Sequence, residues 1–252
     1  MLWSLMLLGC FKVVKPADPA DTVPDPGAFP HEIFDDVLGT HVTPEGLVDY
    51  KTLQGSRAGL DEYVGYLAIS SPHRHPDHFP GDQHALAYWI NAYNALAITG
   101  VIDRPGLKSV IDQKIEYFAL TRYLLGKDKV TLYVLENGIV RKEFDDPRIH
   151  FALNCQSMGC PRLPDEAFLP ATLDAQLDAM TVEFVSHPEK VRVADGEVQV
   201  SSIFKWYAED FEAAGGAVAF INQYRPEPVP TDLPVTYIDY DWALIAQPGR
   251  MP

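Results

Sequence analysis

A chain of 252 residues, 47% of them apolar, is long enough to bury a substantial core and too apolar to stay disordered. Its 20 Lys and Arg against 35 Asp and Glu leave a net charge of −15. No run of Lys and Arg exceeds two residues, so the field repels a phosphate backbone and argues against nucleic acid as a partner.

The first thirty residues, MLWSLMLLGCFKVVKPADPADTVPDPGAFP, open on an apolar run over 2–9 broken by Ser4. The run is far short of the ~20 residues needed to span a bilayer. Leu7-Leu8-Gly9-Cys10 resembles a bacterial lipobox, in which cleavage precedes a cysteine that then carries lipid. As a signal the run is short, and no Lys or Arg precedes it. Pro16, Pro19, Pro24, Pro26 and Pro30 follow in a small, polar segment suited to a stiff tether. The expected organisation is a signal segment over 1–9, then a lipid-bearing Cys10 and Pro-rich tether over 10–30. Such a protein would sit in a bacterial cell envelope, anchored to the membrane by lipid and facing the periplasm or the exterior. With Cys10 acylated, Cys155 and Cys160 remain as a pair, which outside the cytoplasm is first read as a disulfide.

From residue 31 helix and strand signals alternate, without an internal repeat or a long charge block. HEIFDDVL predicts a short helix, and HVTPEGLVDY a hairpin turning at Pro44-Glu45-Gly46. Leu60, Tyr63, Val64 and Leu67 recur at helical spacing within residues 57–69. SPHRHPDHFPGD, with three prolines and a glycine, is a loop. Residues 82–102, DQHALAYWINAYNALAITGVI, carry the strongest signal, a helix with Asp82 as N-cap and Gly100 to bend or end it. Its flanks are apolar nearly all round, which predicts burial on most sides. His84, Asn91 and Asn94 fall along one stripe and need partners, because an unsatisfied buried amide costs about 1–3 kcal/mol.

KVTLYVLENGIVRKEF predicts a strand and then a helical turn bearing Glu136, and IHFALN predicts a strand. TLDAQLDAMTVEFV is helical, with Leu173, Leu177, Met180 and Phe184 on one face. VRVADGEVQV is a hairpin about Asp195-Gly196, SSIFKWYAEDF a helix capped by Ser201 or Ser202, and VTYIDYDWALI a closing strand. No strand leads into a glycine-rich phosphate loop. The expected fold is α+β: a single compact domain over 31–246, with mixed helices and a mainly antiparallel sheet, followed by a tail over 247–252.

His150, Cys155 and Cys160 stand at equal five-residue steps in IHFALNCQSMGCP. In an extended IHFALN the pleat would send His150, Ala152 and Asn154 one way and Phe151, Leu153 and Cys155 the other. A Cys–His dyad needs the two side chains within hydrogen-bond reach, so this alternation argues against local thiol catalysis. Zinc-ligand spacing is not matched, and neither a metal nor a cofactor is expected. A Cys155–Cys160 disulfide would close a six-residue loop containing Gly159. In the chain-entropy picture it stabilises by about 2 kcal/mol. Polar groups set in apolar elements attract one another, so Asn91, Asn94, Glu136 and His150 are expected to cluster. Such a cluster would be either a fold-specifying network or a binding pocket.

YWINAYNAL, DDPRIHFALNCQSMGCPRL, SSIFKWYAEDF and DYDWALI, in this order, together resemble the family called domain of unknown function 547, over about residues 31–246. The resemblance implies a domain identity and no established reaction. It carries the family's motif positions onto Asn91, Tyr93 and Asn94 in the long helix, onto His150, and onto Cys155, Cys160 and Pro161. It also reaches Glu136, whose neighbour in the family is usually histidine and here is Asn137. Two functions stand open, with a redox role for the cysteine pair as a third, minor one, since its x4 spacing differs from the CxxC arrangement. One is an envelope lipoprotein acting as a non-catalytic binding or assembly module, with Asn91, Tyr93 and Asn94 at a polar pocket for an unidentified protein or small molecule. The other is a cysteine-dependent hydrolase or acyl transferase, with Cys155 or Cys160 as nucleophile, His150 as base and Glu136 beside them.

Overall fold

The computed structural model describes residues 12–17 and 20–252; the expected signal segment over 1–9 and the lipid-bearing Cys10 lie outside them. In chain order the first elements are β1 (Lys12–Val13), α1 (His31–His41), α2 (Tyr50–Gly55), α3 (Ala58–Ile69), α4 (Asp82–Ile102), β2 (Thr121–Leu125) and β3 (Asp128–Val130). One helical run follows, made of α5 (Leu132–Val134), a π turn (Leu135–Val140) and α6 (Arg141–Glu143). After a 3₁₀ turn at Pro147–Phe151 come α7 (Leu173–Ser186), β4 (Val191–Ala194), β5 (Glu197–Ser201), α8 (Ile203–Trp206), α9 (Ala217–Tyr224) and β6 (Val235–Ile238).

The axis of the fold is α4. Every residue from Leu86 to Ile102 is buried, as an apolar helix without a polar face requires. By length and composition α4 could cross a membrane, but α1, α2, α3 and the run over 132–143 pack around it. Asp82 is its first residue rather than its cap, a place taken by Gly81 without a side-chain bond. Gly100 lies inside the last turn, where a Cβ would come within 2.8 Å of both Tyr117 Cε2 and Tyr123 Oη. Glycine there permits close packing and does not stop the helix. Within the same core a cluster of phenylalanines joins α7, α8 and α9 to the 3₁₀ turn: the Phe151 ring lies 4.8 Å from Phe184, and Phe211 lies 4.9 Å from Phe204 and 5.0 Å from Phe220.

The fold is α+β, with two small three-stranded sheets ordered β1-β2-β3 and β4-β5-β6. Each pairs one antiparallel and one parallel neighbour, which corrects the expectation of a mainly antiparallel sheet. The parallel partner β6 reaches β5 only after α8 and α9, the long crossover that parallel pairing demands. Asp195 and Gly196 turn the β4–β5 hairpin with φ of 56° and 75°, as the Asp-Gly signal predicts. HVTPEGLVDY closes on a single antiparallel bridge, Val42 with Val48.

IHFALN is not a strand. Asp146 caps the turn by accepting from Arg148 N at 3.0 Å, Pro147 occupies its first position, and Ala152 N donates to Ile149 O at 3.0 Å. Asp-Pro is a helix-start signal, and it outweighs the β-like apolar run that follows. Residues 27–29 and the C-terminal tail both lie on the domain. In the Pro-rich segment Gly27 N donates to His78 O at 2.9 Å, and Phe29 packs edge-on to Tyr88 at 4.9 Å. In the tail Pro252 O accepts from Gly106 N at 3.1 Å.

Candidate functional site

The π turn, the 3₁₀ turn, the cysteine loop, α8 and the segment after β6 meet at a cleft of about 300 Å³. Its lining includes Glu136, His150, Cys155, Trp206, Tyr240 and Trp242. A π turn widens the helix by one residue, and such turns recur at functional positions. Here it carries Glu136, whose Oε2 accepts from Tyr93 OH at 3.2 Å and whose Oε1 accepts from Tyr207 OH. Burial pushes both tyrosine hydroxyls well above their ordinary pKa, with the Glu136 charge adding to it, so both stay protonated donors. Asn137 also lines the cleft, and its Oδ1 accepts from Arg141 Nη1 at 2.8 Å.

His150 is held on two sides. Its Nε2 lies 2.6 Å from Asp210 Oδ2, and its ring stacks on Tyr207 at 4.1 Å. Asp210 also accepts from Arg141 Nε at 2.6 Å and Nη2 at 2.8 Å. Burial alone would raise the Asp210 pKa. The hydrogen bonds from His150 and Arg141, with their charges, outweigh burial and hold the carboxyl well below the usual range. An ionised carboxylate fixed by arginine thus orients the imidazole, an arrangement shared with catalytic histidines.

The polar stripe of α4 divides. Asn91 Nδ2 donates to Phe168 O at 2.7 Å and to His31 Nδ1 at 3.0 Å, while its Oδ1 accepts from Phe168 N at 2.9 Å. Asn94 Nδ2 donates to Ala152 O at 3.0 Å, and its Oδ1 accepts from Asn154 N at 2.8 Å. Both amides clasp irregular backbone and do not reach the cleft, whereas Tyr93 between them does. The expected single cluster of Asn91, Asn94, Glu136 and His150 is therefore two systems: asparagines that hold loops, and a glutamate and histidine that line a cavity.

Asn94 sets the start of the cysteine loop, and Asn154 ties the loop to itself. Asn154 Oδ1 accepts from Gln156 N at 2.7 Å and its Nδ2 donates to Pro161 O at 2.7 Å. Within that frame the sulfurs of Cys155 and Cys160 lie at disulfide distance. With residues 147–151 helical the pleat argument falls, and His150, Cys155 and Cys160 line one cleft. Gly159 lets the segment after β6 cross the loop closely: a Cβ there would lie 2.6 Å from the Tyr240 ring. Behind the loop is a second hollow of about 500 Å³, also lined by Cys160, where burial lowers the Lys190 pKa to about 8 and its Nζ donates to Met158 O at 2.6 Å. Among the described residues no group of three His, Cys, Asp or Glu side chains is placed to hold a metal ion.

Sequence reasoning missed Trp206, Tyr207, Asp210, Tyr240 and Trp242. They lie in SSIFKWYAEDF and DYDWALI, whose density of aromatic residues was the available signal.

Fold and site together define an α+β domain with a cysteine-bearing, aromatic-lined cleft. Residues 76–185 match the family model described as Protein of unknown function, DUF547. The match is narrower than residues 31–246: it holds α4, Glu136, His150 and both loop cysteines, and stops before Asp210 and Tyr240. No curated protein and no solved structure is significantly similar to the chain.

Proposed function

We propose that this chain is a binding module whose cleft takes a small ring-bearing ligand with an N–H or O–H donor. The observation that carries this reading is the open aromatic wall of the cleft. Tyr240 lies 4.8 Å from Trp206 and 4.5 Å from Trp242, and Trp206 stacks on Trp242 at 5.7 Å. Trp206 remains 47% exposed, and Tyr133 at the same cleft 58%. Exposed rings gathered around a concave site, with few polar groups inside, suit a ligand with a flat apolar face. Glu136 supplies the polar anchor: each carboxylate oxygen holds one tyrosine hydroxyl and keeps a second lone pair for a donor. Titration of tryptophan fluorescence with small saccharides and aromatic amines is expected to find a quenching ligand. Trp206→Ala then weakens it at least ~tenfold, about 1.4 kcal/mol, without a shift in melting temperature. Equal affinity in both proteins sinks the reading.

The lipid anchor on Cys10 and an envelope location belong to the same proposal. Leu7-Leu8-Gly9-Cys10 supports them, as does a cysteine pair at a distance that an oxidising compartment would convert to a disulfide. Cys10→Ser is expected to move the protein from the membrane to the soluble fraction on cell fractionation. An unchanged distribution removes the anchor.

A second reading, a cysteine-dependent hydrolase or acyl transferase, draws on His150 being oriented by Asp210 in the cleft that Cys155 lines. In the dithiol form Cys155 would attack a carbonyl carbon and His150 would take the thiol proton. His150→Gln decides between the two. Turnover of an activated thioester by the reduced protein falls at least ~hundredfold if this reading holds. No turnover by the reduced wild type ends it.

A further inference from the structure

The two sulfurs of the cleft are not equivalent. Cys160 is 5% exposed, and its Sγ accepts from Cys155 N at 2.9 Å and from Tyr240 OH at 3.1 Å. Cys155 is half-buried, opens on the cleft, and lies 2.9 Å from Ser157 Oγ and 3.4 Å from Tyr240 OH. Hydrogen bonds to a charged form favour that form, so the surroundings of Cys160 stabilise a thiolate. Burial keeps the Tyr240 hydroxyl protonated, and it remains a donor at neutral pH. A better-stabilised thiolate is the better leaving group in thiol–disulfide exchange, and an incoming thiol reaches the more accessible sulfur.

We propose that Cys155 and Cys160 form a redox-active pair that exchanges with an external dithiol, with Cys155 as the sulfur attacked and Cys160 as the leaving thiolate. This inference stands on the contacts of the sulfurs and holds whatever ligand the cleft takes. The external thiolate attacks Cys155 Sγ, and the Sγ–Sγ bond breaks with its electron pair going to Cys160. A mixed disulfide then joins Cys155 to the partner, and Tyr240 OH and the Cys155 N–H hold the Cys160 thiolate. The partner's second thiol, losing its proton to solvent, attacks the partner sulfur of that mixed disulfide and releases Cys155 as a thiolate, which solvent reprotonates. The partner leaves as a disulfide and the chain reduced, with Cys155 a thiol and Cys160 the held thiolate, so two electrons have moved from one pair to the other. Asn154 and Gln156 hold the loop ends in place, so the separated sulfurs can close again on a disulfide partner.

The test uses the full chain with Cys10→Ser, which leaves one cysteine pair. Dithiothreitol is expected to open the pair at millimolar concentration, and oxidised glutathione to close it. In the reduced single variants, Cys160→Ser traps glutathione on Cys155, identified by peptide mass, at least ~tenfold faster than Cys155→Ser traps it on Cys160. Tyr240→Phe slows opening by dithiothreitol about tenfold. Should Tyr240→Phe fail to fold, thiolate absorbance of the two reduced single variants gives the second readout, with Cys160 in Cys155→Ser expected to ionise at lower pH than Cys155 in Cys160→Ser. A pair that resists dithiothreitol in the folded protein is a structural staple and overturns the proposal. Faster capture on Cys160, opening unchanged in Tyr240→Phe, or ionisation of Cys160 at the higher pH overturns it as well.

Discussion

Asn94→Ala is expected to cost about 3 kcal/mol and lower the melting temperature by about 8 °C. Asn94 is 1% exposed and spends both ends of its amide on backbone, donating to Ala152 O at 3.0 Å and accepting from Asn154 N at 2.8 Å. Alanine leaves that N–H and that carbonyl buried without partners, and an orphaned buried group costs more than a hydrogen bond contributes. The damage extends to the cleft, because these two bonds position the first residues of the cysteine loop. The variant should label faster than wild type with a thiol reagent after reduction. Asn94→Asp keeps the acceptor and loses the donor, so it should fall between the two. Calorimetry and thermal melts provide the measurement; a loss below about 1 kcal/mol would show that the clasp does not hold the loop.

The second large effect is a loss of stability as the pH falls through the histidine range. His31 is 4% exposed, and its pKa is lowered to about 4, chiefly by burial and secondarily by the nearby His84. Its Nδ1 also meets the Asn91 amide nitrogen at 3.0 Å, a group that can only donate. Two backbone bonds to Phe168 fix that amide, so it cannot turn its oxygen towards a protonated ring. The unfolded chain protonates near the ordinary value of about 6.5, whereas the folded chain resists until about 4. Between these values the unfolded state binds more protons, so stability rises with pH there. The contribution is complete above about pH 6.5 and lost as pH falls towards about 4, a total of about 3 kcal/mol. His41, lowered by burial against an opposing pull from Asp49, adds a slope of the same sign. His31→Asn keeps an acceptor opposite Asn91 without a titrating ring. Its unfolding free energy should be markedly flatter between pH 6.5 and 5 than that of wild type, and equal slopes would refute the assignment.

Much of the fold was readable because it follows from local spacing. The apolar density of 82–102 dictates a helix buried all round, and α4 is buried from Leu86 to Ile102. Leu173, Leu177, Met180 and Phe184 mark the buried face of α7, and Asp195-Gly196 turns its hairpin. IHFALN misled because a six-residue apolar run does not distinguish strand from helical turn by periodicity. The deciding residues, Asp146 and Pro147, lie just before it. Reading them as cap and first position would have put His150 on a helical turn and removed the strongest argument against its sharing a cleft with Cys155.

By itself, then, the sequence determined most of the elements, the buried stripe of α4 and the need of Asn91, Asn94, Glu136 and His150 for partners, because backbone periodicity and the cost of burying polar groups act locally. Which partners they found was decided only in three dimensions. Asn91 took His31 and Phe168, Asn94 took the cysteine loop, Glu136 took Tyr93 and Tyr207, and His150 took an aspartate sixty residues further along the chain. A hydrogen bond needs approach to about 3 Å. Only the tertiary packing that brings α4, the π turn, the 3₁₀ turn and the residues around Asp210 together closes such distances.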